Sequence, residues 1–113
     1  ESFFRIIRAQ HPELPVIIIS RCNFYPHPND IRRRKIIRQT VKNAVKNGDK
    51  KVWFIDGEML FGHDDRDACT TDGTHPNDLG FYRMYKQILP VLQHALDIKH
   101  DNKINAFTEC KNK

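Results

Sequence analysis

Two short apolar runs, Pro15-Val-Ile-Ile-Ile-Ser20 and Lys51-Val-Trp-Phe-Ile-Asp56, contain no polar alternation. A strand with one wet face repeats every second residue, so an unbroken apolar run predicts burial on both faces, the condition of a parallel sheet. Between the runs lies a segment of helical periodicity. Ile37, Val41, Ala44 and Val45 form one stripe with Ile36 beside it; Asn29 or Asp30 is expected to cap this helix and Gly48 to end it. Strand, helix and strand in this order require a crossover connection, hence a layered α/β architecture with parallel strands.

The flanks extend the alternation. Ser2 is placed to cap a short helix carrying Phe3, Phe4, Ile6 and Ile7, which Pro12 and Pro15 end. After the second strand comes a long polar loop, 57–76, interrupted only by Met59-Leu60-Phe61. Asn77 then caps a final helix with Phe81, Tyr85, Ile88, Leu92 and Leu96 at helical spacing, and Pro90 is expected to kink or divide it. Residues 98–113 are polar and aperiodic and read as a flexible tail, leaving 1–97 as part of one domain. Two strands do not make a doubly wound sheet. The missing strands are expected upstream or in a partner, so that the chain reads as the C-terminal half of a domain.

Composition narrows the function. The 113 residues suffice for one small domain, and no apolar run approaches the roughly 18–20 residues of a membrane span. The chain opens on Glu1 without a basic, then apolar, leader, and localisation is left open. The net charge of +5 is uneven: Arg32-Arg33-Arg34-Lys35 opens a basic helix, whereas Asp56, Glu58, Asp64, Asp65, Asp67, Asp72 and Asp78 make the following loop acidic. No nucleic-acid motif or interleaved aromatics accompany the basic run, so no nucleic-acid partner is expected. The carboxylates near His63 lack the regular spacing of a calcium loop, and Cys22, Cys69 and Cys110 lack metal-ligand spacing; no metal or cofactor is expected. Phe24 and Tyr25 follow the first strand and suit either a cleft lining or a core cap.

The chemistry-bearing stretch is Asp72-Gly73-Thr74-His75-Pro76-Asn77-Asp78-Leu79-Gly80. It stands after a buried strand and before a helix, on the edge where open α/β sheets bind ligands. Pro76 biases His75 toward extended backbone, and Gly73 allows a turn between Asp72 and His75. Across such a turn the carboxylate can accept the Nδ1 proton and leave Nε2 as an outward-facing base.

This string, followed by Phe81 and Met84, resembles the last block of the SGNH/GDSL hydrolases, whose hallmark is Asp-x-x-His before the final helix. The resemblance runs over most of Phe3 to Leu96. It implies a flavodoxin-like three-layer α/β/α fold, with Asp72 as orienting carboxylate and His75 as general base of a serine esterase. The implied partner is a small acyl ester, O-acylated carbohydrate among the classes. The family's Gly-Asp-Ser, Gly and Asn blocks are absent here. Ser2 reads as a cap and Ser20 lacks the glycine context of a nucleophile turn, so the serine is expected upstream and these residues alone are expected to be inactive. The alternative is a non-catalytic binding module on the same scaffold.

Overall fold

The computed structural model describes residues 1–22, 27–97 and 106–108. Phe24 and Tyr25, most of the expected tail and Cys110 lie outside the described residues. Helix α1 (Ser2–Gln10) leads into strand β1 (Val16–Ile19), helix α2 (Pro28–Lys46), strand β2 (Val52–Ile55), helix α3 (Asp78–Ala95) and strand β3 (Phe107–Thr108). The strands form one sheet in the order β1-β2-β3, with both pairings parallel. Val16 aligns with Val52 and Ile19 with Ile55, whereas β3 sets Phe107 beside Phe54.

The side-chain period of two divides β2 between two cores. Val52 and Phe54 join Val41 and Ala44, with Phe4, Ile37 and Phe107 packed around them. Trp53 and Ile55 join Leu60, Val91 and Ala95, with Met84 and Ile88 against them. Helices α1 and α2 therefore cover one face and α3 the other, giving the expected α/β/α layering. All of β2 is buried. The edge strand β1 is not: its residues are only partly covered and Ile19 is 40% exposed.

Several local expectations are corrected. His27, not Asn29 or Asp30, caps α2: its Nδ1 accepts from the Asn29 N–H, while the Asp30 carboxylate accepts from the His27 N–H. Pro28 thus occupies the first helical position, where its missing donor costs least. Glu1 precedes α1 without a side-chain cap, and Ser2 is already helical. Helix α3 runs unbroken through Pro90. Its buried face is Gly80, Met84, Ile88, Val91 and Ala95, while Phe81, Tyr85, Leu92 and Leu96 are exposed. The row that packs on Trp53 and Ile55 of the sheet is thus Met84, Ile88, Val91 and Ala95, one position round from the bulkier stripe. Likewise Ile36 and Val45 of α2 are exposed. Phe107 and Thr108, within the expected tail, form a strand because Phe107 packs on Phe54, with ring centroids 6.3 Å apart.

The long loop is less irregular than its composition suggests. It contains 3₁₀ turns at Gly57–Met59 and Arg66–Cys69, and it buries Leu60, Phe61 and Cys69. No helix among the described residues is long and apolar enough to cross a membrane.

Candidate active site on the loop before the last helix

The loop 70–77 is built as a short clasp. Thr70 and Pro76 form an antiparallel bridge, and the Asn77 N–H donates to the Cys69 carbonyl at 3.0 Å. Asn77 works in both directions: its Nδ2 donates to the Ala68 carbonyl at 2.8 Å, and its Oδ1 caps α3 by accepting from the Gly80 N–H at 3.0 Å. Gly80 is required here by space. A Cβ at that position would stand 2.3 Å from the Cys69 carbonyl oxygen and 3.0 Å from Pro76 Cβ.

Within the clasp the chain reverses at Gly73, whose φ of +81° lies in the left-handed region that glycine adopts without steric cost. The Gly73 N–H donates to Thr70 Oγ1 at 2.9 Å. Asp72 Oδ1 then accepts from the backbone N–H groups of Thr74 and His75, at 2.9 and 2.8 Å. The other oxygen, Oδ2, meets His75 Nδ1 at 2.6 Å. The sequence spacing and the turn thus bring the two expected residues together.

Charge and exposure define what this pair can do. The N–H of His75, then its side chain and the Thr74 N–H, hold the Asp72 carboxyl well below the usual carboxylate range. An ionised Asp72 accepts at both oxygens, so it favours the tautomer with its proton on Nδ1. The imidazole is 78% exposed, and its Nε2 has no hydrogen-bond partner among the described residues. The arrangement is an oriented imidazole with an available base nitrogen.

The rest of the carboxyl edge is knitted from residues that sequence reasoning undervalued. Asp56, fully buried at the end of β2, accepts from Arg34 Nε at 2.8 Å and also pairs with Arg34 Nη2. Its Oδ1 further accepts from the Glu58 N–H, and Ser20 donates to it at 3.5 Å. Ser20 Oγ in turn accepts from the Gly57 N–H at 2.7 Å. Ser20 is 3% exposed and occupied in holding the ends of β1 and β2 together, not placed as a nucleophile. The basic run had no evident purpose in the sequence; Arg34 has one in the fold. No pattern in the sequence singles Arg34 out from Arg32, Arg33 and Lys35.

Cys22, three residues beyond β1, also carries a nucleophilic side chain on this edge. Burial pushes its thiol up, which disfavours the reactive thiolate. A cavity of about 560 Å³ lies at the opposite, amino edge of the sheet, between α1 and the turn from α2 to β2. It takes in neither Asp72 nor His75; within it Arg8 pairs with Asp49 and Lys51 with Glu13, and Arg5 pairs with Glu1, which lies outside the lining.

Comparison with known proteins accords with this layout. Residues 1–93 match the model of the GDSL-like Lipase/Acylhydrolase family. A crystal structure from Bacteroides ovatus ATCC 8483, described as that of a candidate GDSL-like lipase, is 34% identical to this chain, with a TM-score of 0.70. The match covers 86% of this chain and 30% of that one, so the sequence spans under a third of that relative's length. No curated protein matches the chain significantly. A family match over this share of the residues carries the assignment: the chain belongs to the GDSL-like lipase/acylhydrolase family.

Proposed function

We propose that these residues supply the base and its orienting carboxylate to a serine ester hydrolase. The observation that carries the reading is the 2.6 Å contact between His75 Nδ1 and Asp72 Oδ2, with Nε2 turned to solvent. In this reading a serine from a part of the protein outside these residues attacks the acyl carbon. His75 Nε2 takes the serine proton as the tetrahedral oxyanion forms, and Asp72 stabilises the resulting imidazolium. Collapse breaks the bond to the alkoxy oxygen, which leaves as the alcohol with the proton from Nε2. Water repeats the sequence on the acyl-serine, releasing the acid and regenerating the free hydroxyl.

The substrate class that fits is a small acyl ester, an O-acylated carbohydrate among the examples. The pair of residues does not hydrolyse esters without the nucleophile, and the described residues alone are expected to be inactive.

A second reading is a binding module that keeps the oriented imidazole without a nucleophile; Ser20, buried and engaged at the ends of β1 and β2, is compatible with both. A fluorophosphonate probe applied to the full-length protein separates the two. Labelling of one serine, lost when His75 is replaced by Ala, supports the hydrolase. Absence of labelling in folded protein supports the binding module.

A further inference from the structure

The loop that follows β2 and the first turns of α3 border an open depression of about 340 Å³, lined by Gly62, His63, Asp64, Arg83, Lys86 and Gln87. This is within the size range of small-ligand sites. Its centre is Arg83, a half-buried guanidinium. Arg83 Nη1 donates to the Phe61 carbonyl at 2.7 Å and also to the Asp64 carbonyl. Both acceptors are neutral. No carboxylate within ion-pair distance offsets the charge among the described residues, and Nε and Nη2 make no hydrogen bond there. One side of the guanidinium is thereby fixed in place while the Nε–Nη2 edge, the fork that matches two oxygens of an oxyanion, is left for something else.

Lys86 stands one turn further along α3 from Arg83, with its Nζ 5.5 Å from the centroid of the Tyr82 ring. That contact restrains the side chain without using its three N–H donors in an ion pair. His63 and Gln87 add further N–H donors. Against these cations the depression offers one carboxylate, that of Asp64. The free donor edge of Arg83 and the exposed Lys86 ammonium are reached by water, so a bound oxyanion would replace solvent on donors that are already placed.

We propose that Arg83, Lys86 and the 62–64 turn form a binding site for a small oxyanion, a phosphate, sulfate or carboxylate group carried by a ligand. Arg83 would clamp two oxygens through Nε and Nη2, Lys86 would supply a second charge, and His63 or Gln87 would fill the remaining lone pairs. The site belongs to the same loop-and-helix unit as His75: Arg83 lies about 9 Å along the helix axis from the Asn77 cap. It does not rest on the hydrolase reading, because its readout is binding rather than turnover.

The test is a titration of the full-length protein at low ionic strength with inorganic phosphate, sulfate and acetate in separate arms. Binding is followed through the Arg83 Nε–H and the Gly62, His63 and Asp64 amide NMR signals. Saturable shifts at those signals are expected, with affinity reduced roughly tenfold or more in both Arg83→Lys and Lys86→Gln. The preferred arm separates a tetrahedral from a planar oxyanion. Absence of saturable shifts in all three arms overturns the site, as do shifts of equal affinity in the variants, which would mark an adventitious ion only. Should Arg83→Lys fail to fold, Lys86→Gln and Gln87→Ala leave the turn contacts of Arg83 intact and decide the matter: undiminished affinity in both overturns it.

Discussion

Arg34, on the second turn of α2, reaches down to the fully buried carboxylate of Asp56 and donates to it through Nε at 2.8 Å. The pair joins a helix to the carboxyl end of the central strand, and the same guanidinium also lies 3.4 Å from Glu58. Removing one member of a buried pair is costlier than the pair is worth, because the other charge stays desolvated.

Arg34→Met is therefore expected to destabilise the protein by about 3 kcal/mol, while Arg33→Met, on the same helix, stays within about 0.5 kcal/mol. Denaturant unfolding of both variants measures the difference. Equal stabilities would mean that the Arg34–Asp56 contact contributes nothing beyond surface charge.

Gly80 carries a second stability prediction. Alanine there forces its Cβ against the Cys69 carbonyl, a backbone atom held by Asn77. Gly80→Ala is expected to cost about 1–3 kcal/mol despite the higher helix propensity of alanine. A neutral or stabilising effect, read from the thermal midpoint, would contradict the close approach of α3 to the clasp.

How much of this was legible beforehand follows from the range of each interaction. The two apolar runs, the layering and the Asp72–His75 pair rest on local pattern: residues a few positions apart and a turn glycine between them. The buried stripe of α3 was not legible, because Phe81 and Tyr85 share a helical period with Met84 and Ile88, and only the sheet decides which row faces inward. Arg34, Asp56 and Ser20 are brought together across sequence separations of 22 and 36 residues. Strand β3 was missed for the same reason: Phe107 in a polar segment carries no local signal, and it is Phe54 that gives it a place.

Asp72 yields a pH prediction. Its folded-state value lies below the ordinary one, so its hydrogen bonds are complete above the unfolded value. They are lost only as pH falls through the depressed folded value. The Thr74 and His75 amide signals are accordingly expected to show no titration step near pH ~4, where a free aspartate protonates. A step at that pH would mean that the carboxylate is not held by the two N–H groups. Asp72→Asn keeps an acceptor for those N–H groups but removes the charge facing Nδ1. In the full-length protein it is expected to lower ester turnover by about 10⁴-fold, with little change in stability.

The most direct measurement is the rate of hydrolysis of a chromogenic short-chain ester by the full-length protein and by its His75→Ala variant. The loss expected is several orders of magnitude in kcat, on the order of 10⁴ or more, with the fold retained by circular dichroism. An unchanged rate in folded His75→Ala protein would remove the imidazole from the chemistry, and with it the account of this loop as half of a catalytic triad.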